Sequence, residues 1–342
     1  MKMSPKEQPL VSVLTPVYNG EPYLGECIES VLNQTYQNFE YIIVNNCSKD
    51  RTLEIAREYE KKDRRVRVHD NDEFLGVIAN HNHAFKMMSK SAKYCKVVSG
   101  DDFIFPECLA RLVDFAEANP SVGMVGSYSI AGKRVEFNGL TYEEKVSDGR
   151  KISRATLLGG PYVFGAPTSL LYRADYVRKT DAFYPSPNPH SDTTACFQSL
   201  LDSDFGYVHQ VLSYTRIHPA SQTSKSLKHG TINLAKLSDL ARFGPKLLNS
   251  SEYNQCLSRL TGEYYWAIVP TLLAEPRNKE FWNRQKTELK QVGLEFSYTK
   301  LLKATFLKGM KLVLAPGSAL RKLRSIWGDP KKIKAQYYDQ ST

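Results

Sequence analysis

Between Val11 and Ser127, short β-branched and aromatic runs alternate with stretches that repeat apolar residues at helical spacing. That alternation confines the chain to a largely parallel sheet covered by helices. The strand candidates are Val11–Pro16, Phe39–Val44, Val66–His69, Tyr94–Val98 and Val122–Ser127. The helix candidates between them are Tyr23–Leu32, Thr52–Lys61, Val77–Met88 and Glu107–Ala118, the last with Pro106 where a helix start tolerates it. In open sheets of this kind ligands bind beyond the carboxyl ends of the strands, so the residues that follow each strand are the place to look for chemistry.

After Ile130 the pattern loosens through Arg150. A Gly/Pro-rich stretch from Gly159-Gly160-Pro161 to Gly165-Ala166-Pro167 leads into a strand-like Ser169–Tyr172, a helix candidate Thr193–Leu201 and a strand candidate Gly206–Arg216. From about Thr231 the reading is helical, punctuated by Gly244-Pro245, Pro276 and Pro316-Gly317. With a boundary within Ser224–Gly230, the sequence predicts an α/β domain over 1–227 and a helical, basic region over 228–342. The α/β domain divides into a half of about 10–130 and a half of about 131–227.

At 342 residues the chain exceeds one typical domain of about 100–200 residues. Hydrophobic residues at 42% and charged residues at 24% place it among folded globular proteins. Met1–Pro9 is polar and no run approaches the ~18 apolar residues that span a bilayer, so neither export nor a membrane span is expected. Six cysteines without CxxC spacing argue against a zinc site and against a disulfide framework, which fits a reducing cytoplasm. The net charge is +10, and from Lys300 onward ten Lys/Arg face only Asp339 and Asp329. Such a tail suits an anionic lipid surface or, equally as a pattern, a solvated helical face. Nucleic-acid binding would rest on this tail alone and is not expected.

Three strand ends carry chemistry on one edge of the sheet: Thr15-Pro16-Val17-Tyr18-Asn19, Asn45-Asn46-Cys47-Ser48-Lys49-Asp50, and Ser99-Gly100-Asp101-Asp102. Adjacent carboxylates followed by apolar Phe103-Ile104-Phe105 are costly to bring together unless a cation sits with them. Mg²⁺ or Mn²⁺ held by one or two protein carboxylates leaves positions for substrate phosphates and water. A turn or helix cap before Pro106 is the competing reading of the Asp pair.

These segments resemble family 2 glycosyltransferases of the GT-A fold. The resemblance is carried by the opening VSVLTPVYNGEPYLGECIESVLNQTYQNFEYIIV, by NNCSKDRT, by LGVIANHNHAF and by GDD, and it fades after about Ser224. It implies a Rossmann-like, mixed and mostly parallel sheet flanked by helices, with a C-terminal helical extension, and an inverting transfer from a nucleotide-diphosphate sugar. By position it places Thr15, Pro16 and Tyr18 beside the nucleotide, Asn45 or Asn46 at the base, Asp101 at the ribose and Asp102 on the metal. His81 stands where many relatives have an Arg near the donor phosphates, and Asn82 matches the next residue. His83 is two residues from His81 and so on another helix face, which makes the pair a poor chelate. Relatives read Asp-Asp-Gly-Ser where this chain has Asn45-Asn46-Cys47-Ser48, and Asp where it has Ser99, so the base is left open.

Transfer to a hydroxyl needs a base across the donor. Asp192, after Pro187-Asn188-Pro189-His190-Ser191 and before a helical run, stands where relatives carry that acid; a helix cap is the plain alternative. Arg216 and His218 share one side of an extended chain. In the resembling pattern they close over the diphosphate, His218 as a metal ligand. The acceptor would be a saccharide or lipid-linked saccharide, used on the cytoplasmic face in surface polysaccharide assembly. A catalytically silent nucleotide-sugar-binding scaffold is the rival reading, suggested by Asn45, Asn46 and Ser99. A dinucleotide dehydrogenase is disfavoured because no GxGxxG follows the first strand.

Overall fold

A computed structural model describes residues 8–164, 166–185, 190–218 and 231–314, with side chains to 310. The elements begin with β1 (Val11–Val17), α1 (Leu24–Leu32), β2 (Phe39–Asn45), α2 (Thr52–Lys62), β3 (Val66–Asp70), α3 (Val77–Lys86) and β4 (Tyr94–Val97). They continue with β5 (Phe103–Ile104), α4 (Cys108–Ala118), β6 (Val122–Ala131), β7 (Arg134–Glu136), β8 (Val146–Ser147) and α5 (Gly149–Leu157). A 3₁₀ turn (Pro167–Ser169) then leads into β9 (Leu170–Arg173), α6 (Ala174–Arg178), α7 (Ser191–Leu200) and β10 (Asp204–Thr215).

Because side chains alternate along a strand, the fully buried β1 feeds two cores. On one face Val11, Val13, Tyr41 and Ile43 pack with Ile28 and Val31 of α1 and Leu109 and Leu112 of α4. On the other, Leu14, Ile42 and Val44 pack with Phe85 of α3, Ile152 of α5, Phe197 of α7 and Phe243. The result is a sheet between two helical layers.

The strand order is β3-β2-β1-β4-β9-β6-β10-β5, with β7 on β6 and β8 on β10. Strands β3, β2, β1 and β4 are parallel, as the βα repeats predict. A plain continuation would seat β6 beside β4. Instead β9 runs antiparallel between them, pairing Cys95 with Tyr172 on one side and Met124 with Tyr172 on the other. Lys96 explains part of this seating. Its side chain is fully buried, and Nζ donates to the carbonyls of Thr168 and Leu170 (3.0 Å for the latter) at the entry to β9. Burial pushes the ammonium below its usual range. The loosely patterned residues between Ile130 and Arg150 form β7, β8 and the start of α5, whose Asp148 cap accepts from the Lys151 amide at 2.7 Å.

The chain divides into two compact units, Met1–Cys256 and Leu257–Thr342. The boundary predicted within Ser224–Gly230, at 227/228, lies outside the described residues; after it the first unit continues through α8 (Thr231–Leu247) into α9 (Ser250–Ala274). Pro245 lies within the last turn of α8. The second unit holds the end of α9, α10 (Lys279–Gln291) and α11 (Tyr298–Leu314), joined by Tyr264 Oη donating to Gln285 Oε1 at 2.9 Å. Pro316-Gly317 and the basic residues from Arg321 onward lie outside the described residues. Among the described residues no helix is long and apolar enough to cross a membrane.

Candidate functional site

Parallel register sets the ends of β1 and β2 level, Val17 opposite Asn45, with β4 on the other side of β1. The loops that leave these strands are tied together. Asn19, in the left-handed region at φ 52°, accepts from the Lys49 amide at 2.8 Å, and its own N–H donates to Ser48 Oγ at 2.9 Å. Cys47, at the position where the resembling pattern has Gly, is also left-handed at φ 55°. At the rim, Tyr18 (47% exposed) packs edge-on against Phe74 at 4.9 Å, leaving an aromatic surface open to solvent.

The two acidic side chains diverge. Asp102 is buried, with Oδ2 accepting from Thr168 Oγ1 at 2.6 Å and Oδ1 from the Arg216 backbone amide at 3.0 Å. Burial, and then the charge of Asp101 beside it, pushes its carboxyl well above the usual range. Asp101 faces outward, and its Oδ2 lies 2.9 Å from His218 Nε2. The expected metal pair of Asp102 with His218 is thus distributed differently: His218 meets Asp101, while Asp102 anchors the end of β10. Arg216 wraps the same loop, Nε donating to the Asp101 carbonyl at 3.0 Å and Nη2 to Glu26 at 2.5 Å, its guanidinium 4.6 Å from the Tyr23 ring.

Several residues expected at the nucleotide also hold the edge in place. Thr15 is fully buried, and its hydroxyl bonds the Val98 carbonyl at 2.8 Å and Tyr41 Oη at 2.9 Å. Pro16 is buried in β1 opposite Val44. Asn45 donates to Asp70 at 2.6 Å, and its Oδ1 is buried without a partner among the described residues. Asn46 Oδ1 accepts from the Leu75 amide at 2.9 Å and from Asn71 Nδ2 at 3.0 Å, while its Nδ2 donates to the Leu75 carbonyl at 2.8 Å. That bonding fixes the loop carrying Phe74. Asn46→Ala strands the Leu75 amide, and is expected to lower stability by about 2–3 kcal/mol, read from urea unfolding midpoints. Asn82 clamps the Tyr184 backbone in both directions, at 2.9 Å each. His81 bonds the Val77 carbonyl at 2.8 Å beside Tyr184, and burial holds its imidazole below the usual range, hence neutral. His83 pairs with His69, Nε2 to Nε2 at 3.2 Å, apart from His81 as its helical position predicts.

Asp192 sits in the first turn of α7, next to a residue that sequence pattern alone gave no reason to choose. Asp239, in α8, is buried and accepts from Thr194 Oγ1 at 2.7 Å. Burial raises the Asp192 carboxyl to about 6, and burial, with Asp192's charge as a lesser cause, raises Asp239 to about 7. Tyr162 flanks them, its Oη 2.7 Å from Thr193 Oγ1. Asp239 was hidden because an aspartate in a helical run reads as a solvated face. Glu26, Lys96, Asn71 and Thr168 escaped the sequence reading because their partners are remote in sequence.

Residues 12–180 match the family description Glycosyl transferase family 2. An uncharacterised glycosyltransferase of Haemophilus influenzae is 31% identical over 226 residues, covering 64% of this chain and 84% of the relative. The chain belongs to glycosyltransferase family 2. It spans only 36% and 31% of the length of two other curated relatives, from Haemophilus influenzae and Bacillus subtilis. Two solved structures share the fold of this family 2 glycosyltransferase. One is TarS residues 1–349 of S. aureus in complex with UDP-GlcNAc (TM-score 0.53, 18% identity, 84% of this chain and 93% of that one). The other is the mannosyltransferase PcManGT of Pyrobaculum calidifontis with GDP-Man and Mn²⁺ (TM-score 0.57, 15% identity, 94% and 84%). The mixed, mostly parallel sheet flanked by helices is the GT-A arrangement, with helices following it in the C-terminal part.

Among the described residues no group of three or more His, Cys, Asp or Glu side chains gathers to hold a metal. The donor set that is present, the outward carboxylate of Asp101 with the His218 imidazole, nevertheless fits a hard cation that takes its remaining ligands from phosphate and water.

Proposed function

We propose that this family 2 glycosyltransferase moves a sugar from a nucleotide-diphosphate donor to a hydroxyl of a saccharide or lipid-linked saccharide, with inversion, at the cytoplasmic face during surface polysaccharide assembly. The observation that carries the reading is the convergence of Asp101, Asp102, Arg216 and His218 at one sheet edge through bonds spanning more than a hundred residues of chain. Asp101 and His218 would hold Mn²⁺ or Mg²⁺, which would supply charge neutralisation to the diphosphate. Asp102 is the internal brace that keeps the Asp101 loop and the Arg216 segment in register. Arg216, fixed by Glu26 and stacked near Tyr23, adds a cation beside the leaving group. Tyr18, with Phe74, offers a ring face to the nucleobase, and Asn45 and Asn46 shape the wall behind it. His81 and Asn82 act at the donor by setting α3 against Tyr184.

On the other side Asp192 accepts the acceptor proton. The oxygen attacks the anomeric carbon, the bond to the diphosphate oxygen breaks, and the proton resides on the Asp192 carboxylate. A carboxyl at about 6 is ionised at neutral pH yet basic enough for this task. The test is thermal unfolding with UDP, GDP, dTDP or CMP, each with and without Mn²⁺ or Mg²⁺. One nucleotide should raise the midpoint in a metal-dependent way, because a ligand bound only to the native state stabilises it. Stabilisation by none of the four would overturn the donor assignment. Metal-independent binding without turnover would favour the silent scaffold, a reading motivated by the internally engaged Asn45 and Asn46.

A further inference from the structure

In the second unit, α11 carries apolar side chains on two different faces. Leu301 (4% exposed) and Ala304 (8%) face the packed interior, and Lys308 lays its side chain near the Trp266 ring with Nζ 5.1 Å from its centre. At four-residue spacing, Tyr298 (61% exposed), Leu302 (67%), Phe306 (66%) and Met310 (42%) form a second stripe, and it is open to solvent. Leu307 widens the stripe at 45% exposure. Lone exposed apolar residues are ordinary, but five on one helix over thirteen positions are a contiguous patch of the kind that marks an interaction surface.

The charge around the stripe selects the partner. From Tyr298 to Leu314 the helix has four lysines (Lys300, Lys303, Lys308, Lys311) and no acidic residue. On the helical wheel Lys303 and Lys300 lie together on the Leu307 side of the stripe, and both are exposed. Long cationic side chains along one side of a stripe of aromatic and aliphatic groups match a surface that is apolar below and negatively charged above. At the start of the stripe, Tyr298 packs on Phe296 with ring centres 5.2 Å apart, and Lys286 Nζ lies 5.4 Å from the Tyr298 ring. That arrangement suits the headgroup level, where amphipathic rings and cations gather.

The geometry points to α11 as an interfacial anchor: Leu302, Phe306, Leu307 and Met310 enter the outer acyl region of an anionic bilayer, while Lys300 and Lys303 meet lipid phosphates. This docking is independent of the sugar-transfer reading, since it involves none of the residues placed at the donor or acceptor.

The full chain, sedimented with vesicles of phosphatidylcholine alone or rich in phosphatidylglycerol, tests it. The wild type should pellet with the anionic vesicles only, and added salt should release it. Leu302→Glu/Phe306→Glu should weaken vesicle binding by at least about tenfold, and Lys300→Glu/Lys303→Glu by a similar factor. Because all four side chains are exposed, circular dichroism and the unfolding midpoint should stay at wild-type values. Equal pelleting of wild type and the apolar variant, or no pelleting with either vesicle, would overturn the assignment. So would a wild-type dimer that the apolar variant converts to monomer, which would give the stripe to a second copy of the chain.

Discussion

Asp192→Asn is expected to lower the rate of sugar transfer by about 10²–10⁴-fold while leaving nucleotide-dependent thermal stabilisation intact. The substitution keeps the shape of the side chain and its acceptor oxygen, so the bond from the Thr193 amide survives and only basicity is removed. For the wild type, kcat/KM should fall with decreasing pH through about 6, as the carboxylate takes up the proton that disables it. The stability effect has the opposite sign to the activity effect. The folded carboxyl, raised from 3.8 to about 6, binds its proton more tightly than in the unfolded chain. Its contribution therefore favours folding at low pH and is lost as pH rises through that window. At pH 7 the ionised group opposes the fold, and Asn should recover about 1–2 kcal/mol once partial exposure is allowed for. A variant that loses transfer and becomes less stable would instead mark Asp192 as a helix cap.

The second large effect separates the neighbouring acids. Asp101→Ala should erase the metal-dependent part of nucleotide binding. At nucleotide near 100 times its Kd that part contributes about 2.7 kcal/mol, an unfolding midpoint shift of about 5–10 °C for a unit of this size. The variant alone should unfold near the wild-type temperature, since the Asp101 side chain is partly exposed and among the described residues its carboxylate bonds only His218. Asp102→Ala should do the reverse first. It strands the Thr168 hydroxyl and the Arg216 amide, and a loss of about 2–4 kcal/mol in urea unfolding is expected before any ligand is added. Asp101→Ala protein that still shows the full metal-dependent shift would remove Asp101 from the metal.

The contrast between these two acids also marks where sequence reading succeeds. The βα repeats between Val11 and Ala118 are legible because each helix and strand is defined by neighbours a few residues away. The Asp pair, and Arg216 with His218, are legible as strand-end chemistry. Which acid faces outward is not, because Thr168 and the Arg216 amide choose Asp102 from across the fold. Thr15 and Asn46 lie at the strand ends and Asn82 lies in α3, and their polar atoms are taken by Val98, Leu75 and Tyr184, partners no local window contains. Between Ile130 and Arg150 the strands are two or three residues long, too short to generate a period. Asp239 looks like any helical surface charge until Thr194 is brought against it.

The seat of β9 has a consequence for how the polypeptide emerges from the ribosome. A nascent chain that has reached Ala131 already contains β1 to β6, but β4 and β6 lack the strand that belongs between them. The edges that face this gap stay unpaired, and Lys96 has neither carbonyl that receives its ammonium, until residues 168–173 have been synthesised. The sheet therefore closes late and across a long loop, the situation in which exposed strand edges invite association with other chains. A fragment ending near residue 131 should accordingly need assistance to stay soluble, and one ending just past Arg173 fills the gap between β4 and β6 but still leaves the other edge of β6 open until β10 has been made.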